Sequence, residues 1–368
     1  MDDAEKVAAL AAALVRIDSR SRLSNLPVAD RIERELAGFE VERLDFEDAT
    51  GTAKRALVAH RGPLTGGGIA LSGHMDTVPD TGWTEDPWAA RVDERGVLHG
   101  LGSADMKGPV AAAIVAAQGL PADVPVTLLL TTDEETTKQG ARIVAQQSEL
   151  ARRAAPRGII VAEPTSLIPV RGHRANVEFT AVATGVQAHS SGRSGVNANW
   201  ALVPYLAEMR EIFGWLRSDE AMQDPAYEPP FSDFNLILDN HGTAVNVTVP
   251  RATATIKFRY SRSIDPRPVI EKVRQAAARA GLELRERADP GAPELPPEHP
   301  LIEAAVRESG QPARTAAYGT DATELQALAP CVILGPGSIG VAHAPGEHVS
   351  LAELAAAVPL FRRLLTAG

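Results

Sequence analysis

The sequence has almost no cysteine. Cys331 stands alone among 368 residues, which excludes an internal disulfide framework and any zinc site built from several thiolates. A surplus of positive charge is also missing. Lysine and arginine number 37 against 47 acidic residues, for a formal net charge of -10. Without a basic tract, there is no footprint for nucleic acid and no patch for an anionic membrane. Long hydrophobic runs are absent too. The apolar stretch from Val7 to Val15 is too short and too alanine-rich to span a bilayer. The start, Met1-Asp2-Asp3-Ala4-Glu5, is acidic where a secretion signal is basic. These absences make the cytoplasm the expected compartment. No internal repeat or low-complexity tract interrupts the chain.

What is there reads as an ordinary soluble protein, 44% hydrophobic and 23% charged, long enough for two domains. Helical spacing runs over 3–17 and 28–39. Strand patterns run over 41–46, 55–60 and 68–71. A small-residue helix over 109–118 and a buried strand over 124–130 follow. A helix begins near Lys138, and a strand covers 158–162. This alternation predicts an α/β domain with a mostly parallel sheet covered by helices.

The pattern changes after residue 170. A long alternating strand over 175–184 is followed by a helix over 198–216 and strands over 234–238 and 245–260, the second long enough to be bent or irregular. A helix over 266–280 and a strand over 282–287 complete the series. The order β-α-β-β-α-β predicts a ferredoxin-like α+β unit, inserted as residues 171–289. Its exit is the proline-rich run Asp289-Pro290-Gly291-Ala292-Pro293. The first domain, residues 1–170, then resumes over 290–368, with helices near 301–309 and 321–328, a strand over 331–334 and a closing helix from Ser350.

The chain is organised around Ser72-Gly73-His74-Met75-Asp76-Thr77-Val78-Pro79, where a buried strand runs into a polar turn. His74 and Asp76 point to one side of the sheet. One can ligate a cation, and the other, or a carbonyl, can fix the ring from behind. Further donors recur at strand ends: Asp105, Glu134-Glu135, Glu163 and His343. Singly, each has a plainer reading, as a turn residue, an acidic first helical turn, a loop or a surface histidine. Together they fall where open α/β sheets place their sites. Oxygen and imidazole without sulfur suit zinc, manganese or cobalt. They are too many for one catalytic zinc and suit a two-metal site with a shared carboxylate. Of two adjacent glutamates, one can bind while the other stays free as a general base.

The runs SGHMDTVP, GLGSADMKG, TTDEETT, VAEPTS and the His343 segment resemble the dinuclear-zinc deacylase and peptidase family. That family includes acetylornithine deacetylases, succinyl-diaminopimelate desuccinylases, aminoacylases and carboxypeptidase G. The wording is most similar to the acetylornithine deacetylases. The resemblance implies a zinc-exopeptidase-like catalytic domain with a lid and dimerisation domain inserted. It implies two Zn2+, replaceable by Co2+ or Mn2+, one held by His74, Asp105 and Glu163 and the other by Asp105, Glu135 and His343. It gives Asp76 the orientation of His74 and Glu134 the role of base. It also implies a cis Asp105–Met106 peptide.

In the inserted unit the resemblance makes His189 a lid histidine reaching a partner subunit's site. Asn246 and Arg259 become residues near the substrate carboxylate, and Gly319 and Thr320 substrate donors. The implied activity is removal of a small acyl group from an N-acyl amino acid, N-acetylornithine first, by a homodimer. Two runs depart from the acetylornithine deacetylase pattern: Tyr318-Gly319-Thr320-Asp321-Ala322 and Arg259-Tyr260-Ser261-Arg262-Ser263. Both bear on which acyl group and side chain are accepted.

Overall fold

The first helix, Asp3–Val15, begins on a capping box. The Asp2 carboxylate accepts from the Glu5 N–H at 2.8 Å, and the Glu5 carboxylate accepts from the Asp2 N–H at 3.1 Å. Both orphan donors are satisfied reciprocally, and Leu10 and Leu14 turn one face into the core. The structure, a computed structural model, describes residues 1–367. Two compact units form: Met1–Gly172, Pro293–Thr315 and Thr320–Gly368 make one, and His173–Ala292 with Ala316–Gly319 the other. Sequence reading keeps 316–319 with the catalytic part, whereas here they pack with the second unit.

The larger unit holds an eight-stranded sheet in the order Glu40–Glu47, Ala53–Arg61, Val126–Thr131, Ile69–His74, Gly158–Val161, Cys331–Ile333, Val170–His173, Arg314–Ala316. Its four central strands, from Val126–Thr131 to Cys331–Ile333, are mutually parallel. Glu40–Glu47 and Ala53–Arg61 add an antiparallel ladder at one side. On the other side, Val170–His173 runs antiparallel to Cys331–Ile333. The sheet is therefore mixed, with its parallel part in the middle. Parallel strands bring their C-terminal ends to one edge, and that edge receives the polar loops.

Ile69–His74 and Val126–Thr131 are buried at every residue, as strands covered on both faces are. The helix Lys107–Gln118 is buried from Lys107 to Ala117 and packs against Asp3–Val15, Leu351–Thr366 and Ile69–His74. Its alanines permit this depth. At Gly73 a Cβ would meet Val110 Cγ2 at 2.6 Å and Met106 Cε at 2.9 Å. The helix thus rests directly on the strand that carries His74.

The smaller unit has the antiparallel sheet Asp233–Asp239, Arg251–Tyr260, Ala175–Thr184, Glu283–Ala288, with helices Asn199–Ser218 and Arg267–Arg279. Residues 245–250, read from sequence as part of a strand over 245–260, lie outside it. Their backbone serves a loop instead: Thr248 N–H donates to Ala188 O at 2.9 Å, and Asn246 O accepts from Ser190 N–H at 2.9 Å. The helix expected over 28–39 ends at Glu33, and that over 321–328 shrinks to Ala322–Leu325. No helix among the described residues is long and apolar enough to cross a membrane.

Candidate active site

The central strands deliver their donors to one edge. His74 is the last residue of Ile69–His74. Glu134 and Glu135 follow Val126–Thr131, and Glu163 follows Gly158–Val161. Asp105 comes from the loop before Lys107–Gln118, and His343 from the loop after Cys331–Ile333. The Asp105–Met106 peptide is cis.

These side chains form two donor groups, His74 with Asp105 and Glu163, and Asp105 with Glu135 and His343. Within each group, one ligand-type atom per residue lies within 4.8 Å of the others. Asp105 belongs to both. Its Oδ1 lies 3.0 Å from His74 Nε2, and its Oδ2 lies 3.1 Å from His343 Nε2. His343 Nε2 is also 3.0 Å from Glu135 Oε2. His74, Asp105 and Glu163 are buried, while the His343 side chain is 50% exposed and marks the open side.

Burial and hydrogen bonding shift His74, Asp105, Glu135 and His343 in opposite directions. Burial lowers the affinity of His74 for its proton, yet hydrogen bonds to Asp105 and Asp76 raise its pKa well above the usual value. Hydrogen bonds to Asp105 and Glu135 push His343 up to about 11. Burial pushes Glu135 up to about 8 and Glu163 well above the carboxylate range, with Asp105 adding repulsion. Burial also raises Asp105, but the hydrogen bonds from His343 and His74 outweigh it and leave this carboxyl low. So many buried carboxyl groups around two imidazoles need cations to ionise together. The donors are oxygen and imidazole nitrogen, and each group holds three. The donor chemistry fits divalent zinc-type ions.

The chain matches the family described as Peptidase family M20/M25/M40 over residues 70–367. It belongs to this family. Its members are typically dinuclear metal enzymes that hydrolyse amides or peptides. An acetylornithine deacetylase of Proteus mirabilis is 32% identical over 335 residues, covering 86% of this chain and 83% of that protein. One from Myxococcus xanthus is 32% identical over 359 residues, covering 93% and 92%. An M20 family metallo-carboxypeptidase from Sulfolobus solfataricus shares the fold, with a TM-score of 0.74 at 15% identity, covering 99% of each chain.

In this M20 member the ring of His74 is fixed mainly by backbone. Its Nδ1 lies 3.0 Å from Asp76 O and 3.5 Å from Asp76 Oδ1. The Asp76 carboxylate does more elsewhere. It accepts from Ser21 Oγ at 2.6 Å and from the N–H groups of Glu134 and Glu135 at 3.2 and 3.4 Å. One buried aspartate therefore ties the end of the His74 strand to the glutamate pair. The Glu134 carboxyl is raised by burial, and no side-chain hydrogen bond from the described residues holds it.

Sequence reasoning missed several supports. Lys54 is buried, pairs with Asp133 at 2.7 Å, and donates to Leu23 O at 2.9 Å. It pins the turn before Glu134. Glu347 is buried and accepts through Oε1 from both the Ala104 and Asp105 N–H groups at 2.9 Å. Its position in the loop just after His343 was the one available signal. Burial pushes Glu347 up to about 7 against the pull of those N–H donors. Glu347→Ala would leave two buried N–H groups unpaired, at about 1–3 kcal/mol each. Glu347→Gln keeps an acceptor and is expected to retain most of that stability, which urea midpoints would measure.

In the second unit, the His189 Nδ1 accepts from Ser191 N–H at 3.3 Å and lies 2.8 Å from Ser191 Oγ. Asn246 is bonded next to it through the Ser190 N–H. Arg259 pairs with Asp233, its cross-strand neighbour, at 2.7 Å. Gly319 packs with this unit, whereas Thr320 is buried in the larger one, where its hydroxyl accepts from Ala322 N–H at 3.1 Å.

Proposed function

We propose that this M20 enzyme removes a small acyl group from N-acyl amino acids, with N-acetylornithine its first substrate. The observation that carries the reading is the pair of donor groups sharing Asp105, beside a glutamate that no side chain among the described residues holds. The acetylornithine deacetylases at 32% identity support the substrate. His74, Asp105 and Glu163 would hold one zinc, and Asp105, Glu135 and His343 the other. Bound there, the ions would polarise the scissile carbonyl and acidify the attacking water.

Glu134 takes a proton from that water as its oxygen bonds to the acyl carbon. It then passes the proton to the amine as the C–N bond breaks. Asp76 keeps Glu134 at working distance through the Glu134 N–H. The products are a carboxylic acid and a free amino acid. Arg259, with its planar donor fork, suits the substrate carboxylate once released from Asp233. Asn246, Gly319 and Thr320 complete the substrate contacts in this reading.

A panel with added zinc or cobalt tests the proposal: acetylornithine, acetylcitrulline, acetylmethionine, succinyl-diaminopimelate and a folate-like glutamate amide. Acetylornithine should give the highest kcat/KM. A clear preference for another member would remove acetylornithine as the first substrate and leave the amidohydrolase.

The enzyme is proposed to work in the cytoplasm as a homodimer through the smaller unit. Support comes from the strand Asp233–Asp239, which ends that unit's sheet with Leu236, Ile237 and Leu238 exposed. Open edges invite pairing. Across such a dimer, His189 would serve the partner's site. Because Nδ1 accepts from Ser191, the neutral ring carries its proton on Nε2, a donor suited to the oxyanion on the scissile carbonyl. Removing one such donor costs about 2.7–4 kcal/mol. Glu134→Ala and His189→Ala enzymes, each nearly inactive, should recover measurable activity when co-expressed as heterodimers. Silence from verified heterodimers would place His189 in its own chain's site or outside catalysis.

A further inference from the structure

A pair of histidines lies outside both donor groups, in the three-stranded sheet His348–Ser350, Val97–His99, Arg91–Val92. His99 and His348 are direct register partners across two antiparallel strands. The next pair along, Leu98 and Val349, is buried, so strand alternation puts both imidazoles on the outer face. Their ring centroids are 5.6 Å apart, with planes tilted by 35°.

Each ring has one nitrogen committed as a donor. His99 Nε2 lies 3.1 Å from Asp93 Oδ2. The Asp93 carboxyl is held low by that bond and by the N–H groups of Val97 and Arg95, so it is an acceptor and His99 Nε2 carries the hydrogen. His348 Nδ1 lies 2.8 Å from the Gly346 carbonyl, which can only accept, so Nδ1 carries the hydrogen there. In the neutral rings this leaves a lone pair on His99 Nδ1 and another on His348 Nε2. An imidazole tied by a carboxylate or carbonyl on its far nitrogen is how metal-ligating histidines are oriented. With metal–nitrogen distances near 2.0–2.1 Å, one ion shared by two imidazoles sets their centroids about 5–6 Å apart.

We propose that His99 and His348 form a further cation site for late first-row divalent ions such as Zn2+, Ni2+ or Cu2+. The proposal does not depend on the substrate assigned above. Two imidazoles with open positions left for water favour these ions over Mg2+ or Ca2+, which take oxygen ligands. Arg91, the other register partner of His99, opposes a cation, and the Asp93 carboxylate offsets it. The location gives the site leverage. His99 immediately precedes the loop that carries Asp105, and Gly100 N–H donates to Glu347 O at 3.0 Å. His348 immediately follows Glu347, whose carboxylate holds the Asp105 N–H. A shared ion would clamp both approaches to Asp105.

The test is zinc bound at equilibrium dialysis by the untagged protein, read as a difference between variants. The wild type should retain one equivalent more than His99→Gln/His348→Gln, whatever the occupancy of the other donor groups. It should also be retained on immobilised Ni2+ at imidazole concentrations that elute the double variant. His241→Gln, at an exposed histidine, should behave as wild type. If the double variant does not fold, His99→Gln and His348→Gln are read singly, and each should lose the equivalent. Equal zinc in wild type and variants would overturn the proposal, as would loss of the extra equivalent in His241→Gln.

Discussion

Glu134→Ala should lose about a hundred- to ten-thousand-fold in kcat while metal content stays near that of the wild type. Glu135→Ala should instead lose bound metal. The two residues are neighbours, but their surroundings differ. Glu135 lies 3.0 Å from His343 Nε2 and belongs to a donor group with Asp105. Glu134 has burial and nearby charges around it and no side-chain hydrogen bond from the described residues, as a group that must accept and release a proton requires. Metal analysis beside steady-state kinetics separates the roles. If metal loss followed Glu134 and proton-transfer loss followed Glu135, the division of labour would be reversed.

Exhaustive chelation should abolish activity, with two equivalents of zinc or cobalt restoring it. The same treatment should also lower stability. Two cations relieve the repulsion among Asp105, Glu135 and Glu163, which in their absence must share protons with His74 and His343. An ion that binds only the folded chain stabilises it by about 2.7 kcal/mol at a hundredfold excess over its Kd. Thermal unfolding with and without zinc would show the shift, with the chelated sample melting lower. Full activity in excess chelator, from protein verified as metal-free, would end the dinuclear reading.

Much of this site was legible because its donors follow apolar runs. His74, Glu134-Glu135 and Glu163 each close a stretch that had to be a buried strand, so their convergence followed from a parallel sheet. The supports were not legible, because each is a long-range hydrogen bond with no local pattern. Ser21 reaches Asp76 across 55 positions, and Glu347 reaches Asp105 across 242. The misread strand over 245–250 has a different cause. Its alternation mimics a half-buried strand, yet Val245 is 98% exposed and the neighbouring backbone bonds to the 186–190 loop. Periodicity records which residues are apolar and is silent on which ladder will accept them. The antiparallel flank Glu40–Glu47 with Ala53–Arg61 was likewise hidden, since single strands carry no mark of direction.

The shared carboxylate has a consequence for the order in which the chain is made. Ribosomal synthesis runs from the N-terminus. The donors of the first group, His74, Asp105 and Glu163, are all translated before the inserted unit. The second group already has Asp105 and Glu135 but waits for His343, which comes after that unit and after the strand Cys331–Ile333. A nascent chain stalled inside the insertion thus carries one complete set of donors and two-thirds of the other. It has not yet made the fourth parallel strand, nor the helix Leu351–Thr366 that packs on Lys107–Gln118.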